Sequence, residues 1–250
     1  MSDYGRDLAL IHARGFAGLA AAAGPFMAAE LGHAGFPDGL VVDLGCGNGV
    51  TSRLLGEAGY DVLGIDASPA MLSLARREAP AARFRRGSFL DAELPPCAGV
   101  LAAGEVLGYT ERSLDPLFRR VRRALAPGGV FVLDLPGPAR LPGGGPSRNW
   151  WEGEGWAILI ELTLDRERAL LTRSMTTFVR AGRSWRRGEE THRQRVFHAT
   201  DVAAGLRRFG FSVRVRRGYT GERFAPGHFV LVARAMPPAP RARARRARRA

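Results

Sequence analysis

The sequence predicts an α/β fold: a mainly parallel sheet, extended by an antiparallel β meander inserted after the fifth strand. Three observations carry this reading. Between residues 40 and 135, short β-rich runs alternate with stretches at helical spacing, the pattern of βαβ units whose sheet is covered on both faces. One run leads into a loop with glycine at every second position. After residue 149 the alternation stops, and three long β-like runs follow with only turns between them. With 250 residues and 46% apolar side chains, the chain can bury a sizeable core and is not disordered overall.

The parallel part is expected to use strands at 40–44, 61–65, 82–86, 100–103 and 130–135. Ser68 and Pro69 put a cap residue before a proline at the first helical position, and Met71, Leu72 and Ala75 follow at helical spacing. A second helix shows the stripe Leu114, Leu117, Phe118, Val121 and Leu125, and Pro127-Gly128-Gly129 is expected to end it. Residues 136–149, with Pro142-Gly143-Gly144-Gly145-Pro146, read as a linker. The meander is then expected at 156–164, 169–179 and 189–198, with turns at 165–168 and near Gly182 and Gly188. Thr200-Asp201 would cap a helix that ends at Gly210, before final strands at 211–217 and 229–234.

The net charge is +13 and every basic side chain is arginine. Arg241, Arg243, Arg245, Arg246, Arg248 and Arg249 hold six of those charges with no acid among them, leaving residues 1–240 only mildly basic. The tail, 237–250, reads as a disordered solvated end; an RNA- or membrane-touching arm is the alternative. Cys46 and Cys97 are too few for a disulfide framework or a cysteine-rich zinc site. His192 and His198 lack a carboxylate cluster, so no metal site is expected. No apolar stretch approaches the roughly 18 residues that span a bilayer. Residues 16–29 are uncharged, yet Gly24-Pro25 interrupts them and Asp3 and Asp7 occupy the place of a basic leader region. They read as an Ala-rich helix pair in a cytoplasmic protein.

The stretch Val41-Val42-Asp43-Leu44-Gly45-Cys46-Gly47-Asn48-Gly49 is the most informative. Glycines let the backbone approach a ligand, and the helix starting near Val50 turns free N–H groups and a positive dipole end toward it. Asp66 follows at the tip of the next strand, where a carboxylate can accept from both hydroxyls of a ribose and would repel a 2′-phosphate. A dinucleotide fingerprint needs a third glycine where Val50 stands.

With its Asp-x-Gly-x-Gly-x-Gly motif, Asp66, and Ser68-Pro69, the chain resembles the class I, seven-stranded S-adenosylmethionine-dependent methyltransferases over residues 38–135 and again over 200–235. The resemblance implies a Rossmann-like, mainly parallel seven-stranded sheet with S-adenosyl-L-methionine as cofactor. It implies that Asp43, Gly45, Gly47 and Gly49 cradle the methionine part and that Asp66 holds the ribose. Ser88 and Phe89 would flank the adenine, with Asp91 as a substitute for the acid that many relatives carry at Ser88. Gly104, Glu105 and Tyr109 would lie beside the transferable methyl, Glu105 orienting an acceptor or taking its proton. The sulfonium is already activated, so proximity and exclusion of water suffice for much of the catalysis.

The organisation expected is a helical segment at 1–37, a cofactor-binding core at 38–135, a linker and β insertion at 136–199, the rest of the core at 200–236, and the tail. In small-molecule N- and O-methyltransferases of this kind the insertion caps the acceptor pocket or makes a dimer contact. Trp150, Trp151 and Trp156 would line that pocket or pack in the core, and Arg193 and Arg195 give one strand a basic face. The expected activity is methyl transfer to nitrogen or oxygen of a small molecule, by a monomer or homodimer without a membrane span. An RNA or protein methyltransferase, or a non-catalytic cofactor-binding module, is the alternative.

Overall fold

Seven strands form one sheet, in the order Phe211–Arg216, His228–Ala235, Leu125–Pro136, Cys97–Ala102, Leu40–Leu44, Asp61–Asp66 and Arg83–Arg86, and four more form a separate antiparallel sheet. The computed structural model describes residues 4–141, 145–221 and 224–237. The tail beyond 237, Asp3, and residues 142–144 of the linker lie outside the described residues.

The chain enters through helices α1 (Arg6–Gly15) and α2 (Gly18–His33). The break in this helix pair falls at Phe16-Ala17, not at Gly24-Pro25, because Pro25 is carried inside α2. Gly24 there packs so closely on α3 (Val50–Glu57) that an added Cβ would lie 2.9 Å from that of Leu54. The parallel units then run β1 (Leu40–Leu44), α3, β2 (Asp61–Asp66), α4 (Pro69–Glu78), β3 (Arg83–Arg86), β4 (Cys97–Ala102), α5 (Asp115–Ala124) and β5 (Leu125–Pro136). As anticipated, Ser68 caps α4, its hydroxyl accepting from the Met71 N–H at 3.3 Å.

The expected end of the second helix needs correction. Helix α5 stops at Ala124, and Leu125 already opens β5, so Pro127-Gly128-Gly129 lies within a strand. The pairing with β4 jumps from Cys97↔Leu125 to Gly99↔Val130, which places the proline in a bulge, where its missing N–H is tolerated. A Cβ on Gly129 would lie 2.8 Å from the Ala98 carbonyl oxygen, so only glycine allows this approach.

The insertion has four strands rather than three: β6 (Ser147–Gly153), β7 (Trp156–Asp165), β8 (Leu170–Ala181) and β9 (Ser184–Arg195). The strand β6 is a solvated edge with almost every side chain exposed, so it lacks the alternation that marks a strand in sequence. Gly188 sits inside β9, not in a turn, and is squeezed against the Thr177 hydroxyl. Helix α6 (Ala199–Arg208) begins after His198; Thr200 and Asp201 fall in its first turn and do not cap it. Strands β10 (Phe211–Arg216) and β11 (His228–Ala235) close the large sheet, β11 lying antiparallel to both β5 and β10.

Burial follows from these elements. On one face of the large sheet Val42, Val100, Phe131 and Leu133 pack against Leu117 and Phe118 of α5 and Leu206 of α6. On the other, Val41, Leu101 and Val132 meet Met27 and Leu31 of α2. A third, smaller core joins Leu8 and Ile11 of α1 to Trp156, Ile158, Met175 and Val179 of the small sheet. Thus α1 packs with the inserted sheet, and together they cover the carboxyl ends of β1, β2 and β4.

Phe131 is fully buried in the central strand pair. Phe131→Ala is expected to lower the unfolding free energy by about 3–5 kcal/mol in urea denaturation. Trp150→Ala, on the exposed edge strand, is expected to change it by no more than about 0.5 kcal/mol.

Candidate functional site

A cavity of about 440 Å³ lies where the strands β1, β2 and β4 end, roofed by α1, by β8 and by the segment before β11. This is the place where an open α/β sheet receives ligands, because strand order reverses there and the loops part.

The loop after β1 forms one wall. Gly45, Gly47 and Gly49 all have positive φ (69°, 52° and 88°). At Gly45 a Cβ would collide with Val106 at 2.1 Å, and at Gly49 with the backbone of Ala75 at 2.8 Å, so those two glycines serve packing as well as conformation. At Gly47 nothing stands closer than 4.0 Å, and the open space is the cavity. Asp66 is fixed at the rim: one oxygen accepts from the Gly47 N–H at 2.9 Å, the other from the Ser68 N–H at 2.8 Å. Asp43 lies behind the loop, buried, accepting from the Ser52 hydroxyl at 2.7 Å. Burial pushes its carboxyl up to about 7, with the charge of Asp66 adding and the Ser52 hydrogen bond opposing.

Ser88 and Phe89 line the same cavity, Phe89 also packing into the core beneath. Asp91 is an exposed residue beside Arg112, outside the cavity wall. Opposite lies the loop after β4, with Gly104, Glu105 and Tyr109. Glu105 is buried and adopts φ 58°, a strained setting for a residue with a Cβ. Its carboxylate pairs with Arg173 from β8, and Nε of Arg140 lies 3.4 Å from its other oxygen. Burial alone would raise this carboxyl; the charges of Arg173 and Arg140, and of His228 when it is protonated, outweigh burial and hold it below the ordinary range. The Tyr109 hydroxyl lies 3.2 Å from His192 Nδ1 and 3.4 Å from the Tyr4 hydroxyl, and His192 Nε2 lies 3.2 Å from Glu190. Burial raises the phenols of both tyrosines.

Several residues in the wall or directly behind it carried no motif in the sequence. Asp134, wholly buried in β5, accepts from the Gly104 N–H (2.9 Å), the Glu105 N–H (2.5 Å), the Tyr219 hydroxyl (2.5 Å) and His228 Nε2 (3.0 Å). An acid inside the apolar run 130–135 was the available signal. His12, from α1, is a neutral imidazole whose pKa burial lowers to about 4, helped by Arg173 and His192. Arg140, Arg173 and His228 come together only through the tertiary fold.

The tryptophans do not line the cavity. Trp150 is 64% and Trp151 41% exposed, while Trp156 belongs to the α1 core. Arg193 and Arg195 point to solvent, and the intervening His192 and Gln194 point inward. Among the described residues, no three His, Cys, Asp or Glu side chains are grouped to hold a metal ion, and no helix is long and apolar enough to cross a membrane.

A family model described as "Methyltransferase domain" matches residues 41–129. A Bacillus subtilis (strain 168) protein that carries the name methyltransferase YqeM is 27% identical over 193 residues, covering 73% of this chain and 77% of its own. A trans-aconitate 2-methyltransferase of Acidovorax sp. (strain JS42) is 31% identical over 134 residues, 53% of this chain; the match spans about half of that relative's length (52%). Among solved structures, an S-adenosylmethionine-dependent methyltransferase from Clostridium acetobutylicum superposes with a TM-score of 0.79 at 17% identity, covering 91% of this chain and 97% of that one. The sugar N-methyltransferase KedS8 from Streptoalloteichus sp. gives 0.76 at 20% identity, covering 95% and 96%. Both share the fold.

Asp43 makes stability depend on pH with a definite sign. Between the ordinary value of 3.8 and about 7, the native state holds a proton that the unfolded chain has released, so native stability falls as pH rises through this window. In the cofactor-free chain, the unfolding free energy of the wild type minus that of Asp43→Asn is therefore expected to decline from pH 4 to pH 7 and level off above. Urea midpoints across that range check it; a difference that rises with pH would refute the assignment.

Proposed function

We propose, for a chain that belongs by domain and fold to the class I S-adenosylmethionine-dependent methyltransferases, that the methyl is transferred to a nitrogen or oxygen of a small molecule held under the inserted sheet. The observation that carries this reading is the roof. The helix α1, the strand β8 and Phe224 close over the same cavity that the glycine loop opens into, leaving a chamber of small-molecule size.

The residues present fit S-adenosylmethionine. Gly47 and Gly104 face space that a Cβ would fill, Gly104 at φ 83° with nothing within 4 Å. Glu105 Oε1 is a buried acceptor without a hydrogen-bond partner among the described residues. When bound, the cofactor supplies a methyl on a positively charged sulfur, activated for in-line displacement. The loop from Gly45 to Gly49 takes the methionine part, Asp66 the ribose hydroxyls, and Ser88 and Phe89 the adenine. Asp43 stiffens the loop from behind through Ser52. Glu105, held anionic by Arg173 and Arg140, is a weak base, so its part is to orient the acceptor and face the positive charge of the cofactor. Tyr109, tied to Tyr4 and His192, shapes the acceptor end and excludes water. Two relatives are named for small acceptors, trans-aconitate and a sugar, which agrees with a chamber of this size.

Titration calorimetry is expected to show binding of S-adenosylmethionine and S-adenosylhomocysteine and none of NAD. Asp66→Ala is expected to weaken that binding at least about tenfold, since a hydrogen bond to a charged group contributes about 1.5–3 kcal/mol, with an unchanged circular dichroism spectrum. Labelled methyl supplied as S-adenosylmethionine is expected to enter the low-molecular-mass fraction of a cell extract. Label only in the RNA or protein fraction would overturn the small-molecule reading.

A further inference from the structure

We propose that His228, oriented by Asp134, takes a proton from the methyl acceptor, and that the acceptor atom is accordingly the oxygen of a hydroxyl or the nitrogen of an amine, not a carboxylate oxygen. This rests on the methyl-transfer reading above and narrows it.

The geometry begins with Asp134. Its two oxygens receive four donors, two from the backbone of the Gly104-Glu105 turn, one from Tyr219 and one from His228. Two of those donors are peptide N–H groups, which can only donate, so the carboxyl acts as an acceptor and the 3.0 Å contact is Nε2–H of His228 donating to it. A neutral imidazole with its proton on Nε2 carries a bare lone pair on Nδ1. That nitrogen lies 3.7 Å from Glu105 Oε1, beyond hydrogen-bond reach, and Oε1 is buried without a hydrogen-bond partner. Both residues line the cavity. Phe224 stacks on the imidazole, with ring centroids 3.9 Å apart and planes 23° from parallel, which fixes the direction in which Nδ1 points.

The other candidates for the task are worse placed. Glu105 is committed to Arg173 and Arg140. The hydroxyls of Tyr4 and Tyr109 face each other, and burial disfavours their ionisation. His12 is held by ring contacts with Tyr4 and Phe16, and among the described residues no carboxylate orients it. His228 alone among them combines an orienting carboxylate behind it with a second carboxylate in front.

The step balances without a further reactant. The acceptor atom bonds to the methyl carbon, the carbon–sulfur bond breaks with its electron pair left on sulfur, and the acceptor's proton passes to Nδ1 of His228. The imidazolium then stands between Asp134 and Glu105, two carboxylates that stabilise it until the proton leaves for solvent. A carboxylate acceptor is already ionised at neutral pH and would leave this arrangement without work.

Three measurements on the full chain test the proposal. With S-adenosylhomocysteine bound, ¹⁵N-histidine NMR should show neutral His228 as the Nε2–H tautomer, its signal assigned by its loss in His228→Gln; an Nδ1–H tautomer would overturn the assignment. In the extract assay, the labelled product should resist mild alkali, as methyl ethers and methylamines do and methyl esters do not. His228→Gln should lower turnover about 10²–10⁴-fold and leave S-adenosylhomocysteine affinity within about twofold. An alkali-labile ester, or undiminished turnover in a folded variant, would overturn the proposal. Absence of labelled small product with cofactor binding intact would instead defeat the small-molecule reading, and the tautomer would still decide the role of His228.

Discussion

One buried carboxylate holds the end of the cavity beside β4 and β5 together. Asp134 has no exposed surface, and an ionised side chain in that position is tolerable only if its oxygens are saturated with donors. Saturation dictates much of the neighbourhood. It draws the turn after β4 onto the sheet by two backbone N–H groups and brings Tyr219 in from the connection between β10 and β11. It also fixes His228 at the start of β11. Each such hydrogen bond contributes about 1.5–3 kcal/mol, enough together to hold Glu105 in a left-handed conformation that costs on the order of 1–3 kcal/mol. Without that conformation the Glu105 carboxylate would not meet Arg173.

The inserted sheet then locks onto the same turn from above. Arg173 of β8 pairs with the Glu105 carboxylate, and the side-chain amide of Gln194 in β9 donates to the Glu105 carbonyl at 3.1 Å. Tyr4 joins through Tyr109, and its carbonyl accepts from Ser68 at 2.9 Å, so the first described residue touches two walls of the chamber. The roof and the floor thus meet in a short polar seam, while the apolar contacts of α1 with the inserted sheet lie to one side.

The glycine-loop side of the cavity was legible in the sequence because its geometry is local. Gly45, Gly47, Gly49 and Asp66 fall within one strand–loop–helix–strand unit, where spacing alone sets position, and the glycines reveal where the backbone must approach something. Ser68 and Pro69 announced α4 for the same reason. The opposite side was not legible. Arg140, Arg173, His12 and His228 come from four separate segments, and no periodicity ties an arginine on an inserted strand to a glutamate 68 residues earlier. Strand β6 escaped because an exposed edge has no burial pattern to display. Pro127-Gly128-Gly129, a sound helix stop by composition, is a bulge because the partner strand passes too close for any side chain.

The shared core of α1 and the inserted sheet has a consequence for how such proteins diversify. Leu8 and Ile11 are buried by Trp156, Ile158, Met175 and Val179, more than 140 residues away in the chain, and not by the large sheet. The two segments are therefore one inheritable unit that happens to be written in two places. Exchanging the insertion alone between proteins of this fold would strand the apolar face of α1 in water. A graft that moves both leaves residues 41–129, the stretch matched by the methyltransferase-domain model, untouched. The cover of the cavity is therefore exchangeable as a pair, a short N-terminal helix together with a distant β-sheet.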